Sequence, residues 1–158
     1  MKNHSHTAPW SVYLAGEIHS DWRDRVARGV EAAGLPVELT SPVTDHALSD
    51  DAGATILGAE DNPFWHDRKG AGHNAIRTRT HHERADLVVV RFAGAYREWN
   101  AAFDAGQAVA MGTPLVVVHD DELRHALKEV DAQAMTVAKT PEQVVQILQY
   151  AIEGRLTM

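Results

Sequence analysis

The chain has 158 residues, 44% hydrophobic and 23% charged, which predicts one domain over 1–158 with a core of its own and no need of a second. A formal charge of −7 excludes a broad nucleic-acid footprint, because phosphate backbones are gripped by clustered Lys and Arg. The absence of cysteine excludes disulfides and thiolate chemistry, and no apolar run approaches the roughly 18 residues of a membrane span, so a soluble cytoplasmic protein with no membrane or nucleic-acid polymer partner is expected. The opening "MKNHSHTAPW" also lacks the apolar stretch of a signal peptide.

In chain order, "SVYLAGE" (11–17) reads as the first strand and "SDWRDRVARGVEAAG" (20–34) as the first helix, opened by Ser20 and acidic residues and closed by Gly34. "PVELTSPV" (36–43) is the second strand. The stretch 44–73 follows, rich in Asp, Gly, Asn and His, and reads as a lid or insertion that brings Trp65 or Phe64 over a ligand. "NAIRTRTHHERA" (74–85) is helical, and "DLVVVRF" (86–92) is the third strand. A helix over 98–112 leads into "PLVVVHD" (114–120), a short helix near 121–128, the strand "AMTVAK" (134–139) and a helix over 140–154. Near-continuous apolar strands alternating with helices predict a doubly wound parallel α/β sheet, flavodoxin- or Rossmann-like, with order 2-1-3-4-5.

The helix beginning "WNAAFDAGQAVAMG" is apolar nearly all round. Trp99, Ala102, Phe103, Gly106, Val109 and Ala110 follow core-facing spacing. Asn100, Asp104 and Gln107 form one polar stripe, expected to line a cleft. The small flank Ala101, Ala105 and Ala108, with Met111, predicts close approach of another subunit, hence a homodimer or higher homo-oligomer.

In an open parallel sheet of this order the ligand crevice lies beyond the carboxyl ends of the first and third strands. "AGEIHSDW" brings Gly16, Glu17 and His19 there. Gly16 permits close backbone approach, and Glu17 and His19 offer a carboxylate and a group that exchanges protons near neutral pH. Tyr13 lies within the strand, as a binding or packing residue. The plainer role for Glu17 and His19 is to satisfy loop amides or cap the next helix. Arg77 and Arg79 suit a ligand phosphate or carboxylate if either faces the crevice, or else pair with surface acids such as Glu83. No metal is expected from His66, Asp67 and His73 or from His81 and His82, whose spacings match no zinc pattern. No cofactor is expected either: "GEIHSDW" and "GAG" match neither G-x-G-x-x-G nor G-x-x-x-x-G-K-[ST].

"ADLVVVRF" followed by "WNAAFDAGQAVAMGTPLVV" resembles the signature of nucleoside 2-deoxyribosyltransferases and related nucleotide N-glycosidases, and "YLAG" (13–16) resembles their first strand and loop. Over nearly its whole length, through "YLAGEIHSDWR", "GAEDNPFW", "NAIRTRT" and "WNAAFDAG", the chain is similar to the bacterial YtoQ family of that superfamily. The resemblance implies transfer or hydrolysis at the N-glycosidic carbon of a (deoxy)ribosyl group through a covalent intermediate on a helix carboxylate. Asp104 falls at the nucleophile position, as aspartate in place of the family glutamate. Glu17 or His19 then assists proton transfer, while Tyr13, Gly16, Asn100, Gln107, Arg77 and Trp65 contact a small nucleoside or nucleotide. The alternative is a module of the same fold that binds such a ligand without breaking it, a reading the shorter Asp104 favours.

Overall fold

The two "LVVV" runs become β3 (Leu87–Arg91) and β4 (Leu115–Val118), the central strands, with their valines buried. The computed structural model describes residues 8–95 and 97–156; the first seven, part of the segment read as lacking a signal stretch, lie outside the described residues. Beside β3 runs β1 (Trp10–Gly16), and β2 (Val37–Thr40) and β5 (Thr136–Ala138) form the edges. The order is β2-β1-β3-β4-β5 with every neighbouring pair parallel, as the apolar runs predict. Strand alternation divides the core. Val12, Leu14, Val89 and Val116 face α1 (Trp22–Ala32) and α6 (Pro141–Glu153), while Tyr13, Ala15, Val88, Val90 and Val117 face α4 (Trp99–Ala110).

Helix ends show which local signals decide. Thr140, Pro141 and Gln143 give α6 a reciprocal capping box, and Gly34 turns the chain out of α1 at φ +63°. Ser20 does not cap α1, which starts one residue later behind Asp21, because its amide and hydroxyl both donate to Glu17. The short helix expected near 121–128 is a 3-10 turn at Asp121–Leu123 followed by α5 (Lys128–Asp131).

The stretch 44–73, expected as a lid or insertion, holds α2 (His46–Leu57) and the first part of α3 (Pro63–Arg84), which form a helical hairpin. Asp45 accepts from the Leu48 amide to open α2, and Asn62 accepts from the Phe64 amide, with proline behind it, to open α3. The helix read over 74–85 is thus the second half of a longer one. The two helices touch through glycine: a Cβ on Gly53 would stand 2.3 Å from the Lys69 carbonyl carbon, and one on Gly70 would stand 2.6 Å from the Asp50 carbonyl oxygen. Contact through bare backbone needs few large side chains, so neither helix shows a strong apolar stripe in sequence.

The faces of α4 are the reverse of those expected. Ala101, Asp104, Ala105 and Ala108 are buried on the sheet, while Trp99 and Phe103 are 73% and 70% exposed. Both sets follow i, i+3, i+4 spacing, and the small set wins because α4 lies against β1, β3 and β4. The alanines expected to meet another subunit are therefore core residues.

Candidate active site

A cleft of about 750 Å³ opens beyond the carboxyl ends of β1 and β3, at the point where strand order reverses. The loop after β1 forms one wall, the α2–α3 hairpin a second and the first turns of α4 a third. Tyr13, Gly16, Glu17, His19, Arg77, Asn100 and Asp104 all line it. Gln107 lies one turn too deep along α4 to reach it. Trp65 also lies outside: it is 53% exposed in the first turn of α3, edge-on to Phe64 at 4.9 Å, because Pro63 starts the helix at the hairpin tip, away from the cleft wall.

Gly16 is required where it stands. Its φ is +95°, and a Cβ there would lie 2.1 Å from the carbonyl oxygen of Arg91, its register partner. The strand end is clamped by Arg23 of α1, which donates to the carbonyls of Leu14 at 2.9 Å and Gly16 at 3.0 Å, and also to that of Glu17. Burial brings the Arg23 guanidinium down to about 10, so it is still charged at neutral pH.

The Glu17 carboxylate turns back into its own loop. It accepts from the backbone of His19, from the backbone of Ser20 at 2.8 Å and from the Ser20 hydroxyl at 2.5 Å, with Arg91 Nε 3.8 Å away. Burial opposes its ionisation, yet the Ser20 and backbone hydrogen bonds and the Arg91 charge outweigh burial and leave the carboxyl below its ordinary range. A carboxylate held this way is a poor proton donor, which limits the proton-transfer role expected of it. His19 stacks near His46 of α2, ring centroids 5.5 Å apart, and both rings line the cleft.

Asp104 forms the cleft floor and is nearly buried. Behind it His82, fully buried on the last turn of α3, places Nε2 3.2 Å from Oδ1. Beside them Tyr13 is fully buried, and its hydroxyl makes no hydrogen bond of good geometry, with Thr78 its polar neighbour. Burial, reinforced by the Asp104 charge, pushes the phenol up to about 12. The site thus holds a carboxylate, a proton-bearing phenol with unused capacity and a buried imidazole.

Arg77 lines the cleft but donates Nη2 to the Ser41 carbonyl at 3.2 Å, and Arg79 pairs with Glu83 at 2.8 Å. Glu98 carries no signal in the sequence, and His82 stands out there only as one of two adjacent histidines that match no zinc pattern. Glu98 precedes α4, lines the cleft and accepts from the Ala93 amide; burial and the nearby Glu17 charge raise its carboxyl above the usual range. His82 depends on a contact spanning 22 residues of sequence, which no local pattern shows. Among the described residues, no three His, Asp or Glu side chains come together to hold a metal ion, and no helix is long and apolar enough to cross a membrane.

A five-stranded parallel sheet with a buried helix carboxylate in the cleft at its switch point defines an α/β domain on a flavodoxin-like frame. The chain belongs to the family described as nucleoside 2-deoxyribosyltransferase YtoQ, whose model matches residues 13–152. It is 37% identical over 142 residues to the uncharacterized protein YtoQ of Bacillus subtilis (strain 168), covering 90% of this chain and 96% of that one. The fold is shared with a conserved protein from Enterococcus faecalis V583 (TM-score 0.60, 15% identity, 91% and 99% of the two chains). It is also shared with a 2-deoxyribosyltransferase from Bacillus psychrosaccharolyticus (TM-score 0.51, 13% identity, 85% and 90%). Family membership supports a role related to glycosyl transfer.

Proposed function

We propose that the protein cleaves the N-glycosidic bond of a nucleoside and passes the (deoxy)ribosyl group to a second base or to water, with Asp104 as nucleophile. The observation that carries this reading is the Asp104 carboxylate on the cleft floor, one oxygen against buried His82 and the protonated Tyr13 phenol alongside. An Asp104 oxygen bonds to C1′ as the C1′–N bond breaks, and its electron pair leaves on the base nitrogen, which takes up a proton. A second base or water then attacks C1′, loses its proton and frees the carboxylate, so two displacements retain configuration.

His19 supplies and recovers the proton, while Glu17 holds the loop that carries it. Gly16 lets the ligand approach the strand end, and Tyr13 and Asn100 donate to the sugar. Glu17, Asp50, Asp67, Glu98 and Asp104 outnumber Arg77 and Arg97 around the cleft, and Arg77 is already engaged with Ser41. A neutral nucleoside therefore suits the cleft better than a nucleotide. A cytoplasmic location and a homo-oligomer are part of the proposal, with the exposed Trp99 and Phe103 in place of the buried alanines as the subunit contact.

Asp104→Asn tests it. The amide keeps shape but cannot attack carbon, so turnover of a nucleoside panel should fall by about a thousandfold or more while ligand affinity stays within about tenfold. Wild-type protein with a slow 2-fluoro nucleoside should carry a glycosyl adduct on Asp104 by mass spectrometry. The binding-only reading draws on the short reach of aspartate. It predicts no adduct, no turnover in wild type and weakened binding in the variant.

A further inference from the structure

We propose that His82 is the positioning residue for Asp104: as a neutral ring it donates Nε2–H to Oδ1 and leaves Oδ2 as the oxygen that meets the sugar. This rests on the reading of Asp104 as nucleophile. His82 is fully buried, its Nε2 is 3.2 Å from Oδ1, and among the described residues its Nδ1 has no hydrogen-bond partner. An imidazolium would bury an N–H with no acceptor. The Nε2–H tautomer leaves only a lone pair unmatched, a smaller loss.

The consequence bears on the aspartate. The terminal torsion of a free aspartate is broad, so its two oxygens exchange places readily. A donor fixed on Oδ1 stops that rotation and holds the other oxygen in one direction. The donor is itself held: Tyr13 lies edge-on to His82 at 5.0 Å, and its ring stacks on His81 at 5.5 Å with an 11° interplanar angle. Adjacent residues on the last turn of α3 thus flank the phenol while one of them orients the carboxylate. A nucleophile one methylene shorter than glutamate has less slack to search for carbon, and His82 supplies the fixed geometry that short reach demands.

The test uses the full chain with 15N-labelled histidine at about pH 7.5, above the ordinary histidine range. The signal is assigned by its loss in His82→Gln. The expected spectrum shows His82 as the neutral Nε2–H tautomer, with the Nε2 resonance displaced by Asp104→Asn. With 2′-deoxyadenosine as donor and cytosine as acceptor, His82→Leu should lower kcat by about 100-fold with KM within about threefold. His82→Gln, which keeps an amide donor at similar reach, should restore kcat to within about threefold of wild type. An Nδ1–H tautomer, a charged ring, a resonance indifferent to Asp104→Asn or a fully active His82→Leu overturns the proposal. If wild-type protein leaves nucleosides intact, the enzymatic reading fails by itself, and the spectrum of wild type against Asp104→Asn still decides whether His82 holds the carboxylate.

Discussion

The charge of Asp104 helps to keep the proton on Tyr13, whose buried phenol is pushed up to about 12 and whose hydroxyl has no well-formed hydrogen bond. The phenol therefore stays a proton donor across the neutral range. In a fold maintained only for stability, an unmatched buried hydroxyl is a cost.

Tyr13→Phe separates the two roles. Removing a hydroxyl whose polar neighbour is Thr78 but which makes no well-formed hydrogen bond should leave the unfolding free energy unchanged or slightly raised, within about 0.5 kcal/mol. Turnover should fall by about 10- to 100-fold through loss of a donor to the sugar or to the reacting carboxylate. Denaturant unfolding and steady-state kinetics on the same preparation check both. A destabilised variant with normal kcat would make Tyr13 a packing residue only.

Gly53→Val tests the hairpin as a cleft wall. Its first added carbon would stand 2.3 Å from the backbone of Lys69, so α2 and α3 must part. The expected loss is about 1–3 kcal/mol, with faster hydrogen exchange over 46–84 and a raised KM, because Ser49, Asp50, Asn74 and Arg77 move with the wall. Unchanged exchange there would show that the hairpin absorbs the side chain.

Sequence reading reached the sheet and the position of the cleft because both depend on local pattern. Buried valines on both faces require parallel packing, and strand order then fixes where a ligand sits. It missed the hairpin because Gly53 and Gly70 replace apolar periodicity with bare backbone contact. On α4, alanines and large apolar residues follow the same period, and only the distance to the sheet selects between them. Separation along the chain explains why Asp104 stands out in the sequence while its contact with His82 does not. Asp104 interrupts an apolar helix, whereas His82 matters only through a neighbour distant in sequence.

The exposed pair Trp99 and Phe103 lies one helical turn apart at the cleft rim. Covering this pair with a second subunit would bury large apolar surface and narrow the cleft mouth. Trp99→Ser with Phe103→Ser should shift sedimentation from dimer or larger species to monomer at micromolar concentration, without lowering the unfolding midpoint of the monomer. A wild-type monomer at that concentration would remove oligomerisation from the account.

Acid stability should report on Glu17. Its folded carboxyl lies below the ordinary 4.5, because hydrogen bonds from Ser20 and the loop backbone, with Arg91, outweigh burial. A depressed folded value means that the unfolded chain takes up the proton first, so this group's stabilisation is fully present above about 4.5 and is lost as pH falls through the folded value. Glu17→Gln cannot lose a contribution it never makes: its amide oxygen can still accept from the His19 and Ser20 amides in place of Oε1, but it carries no charge, and its amide nitrogen cannot accept from the Ser20 hydroxyl as Oε2 does. Urea unfolding should therefore show wild type more stable than Glu17→Gln at neutral pH, with the gap narrowing below about pH 4.5. A gap of constant size down to pH 3 would mean that Glu17 is not held ionised. The proton-donor role that its loop denies it would then be open again, in competition with His19.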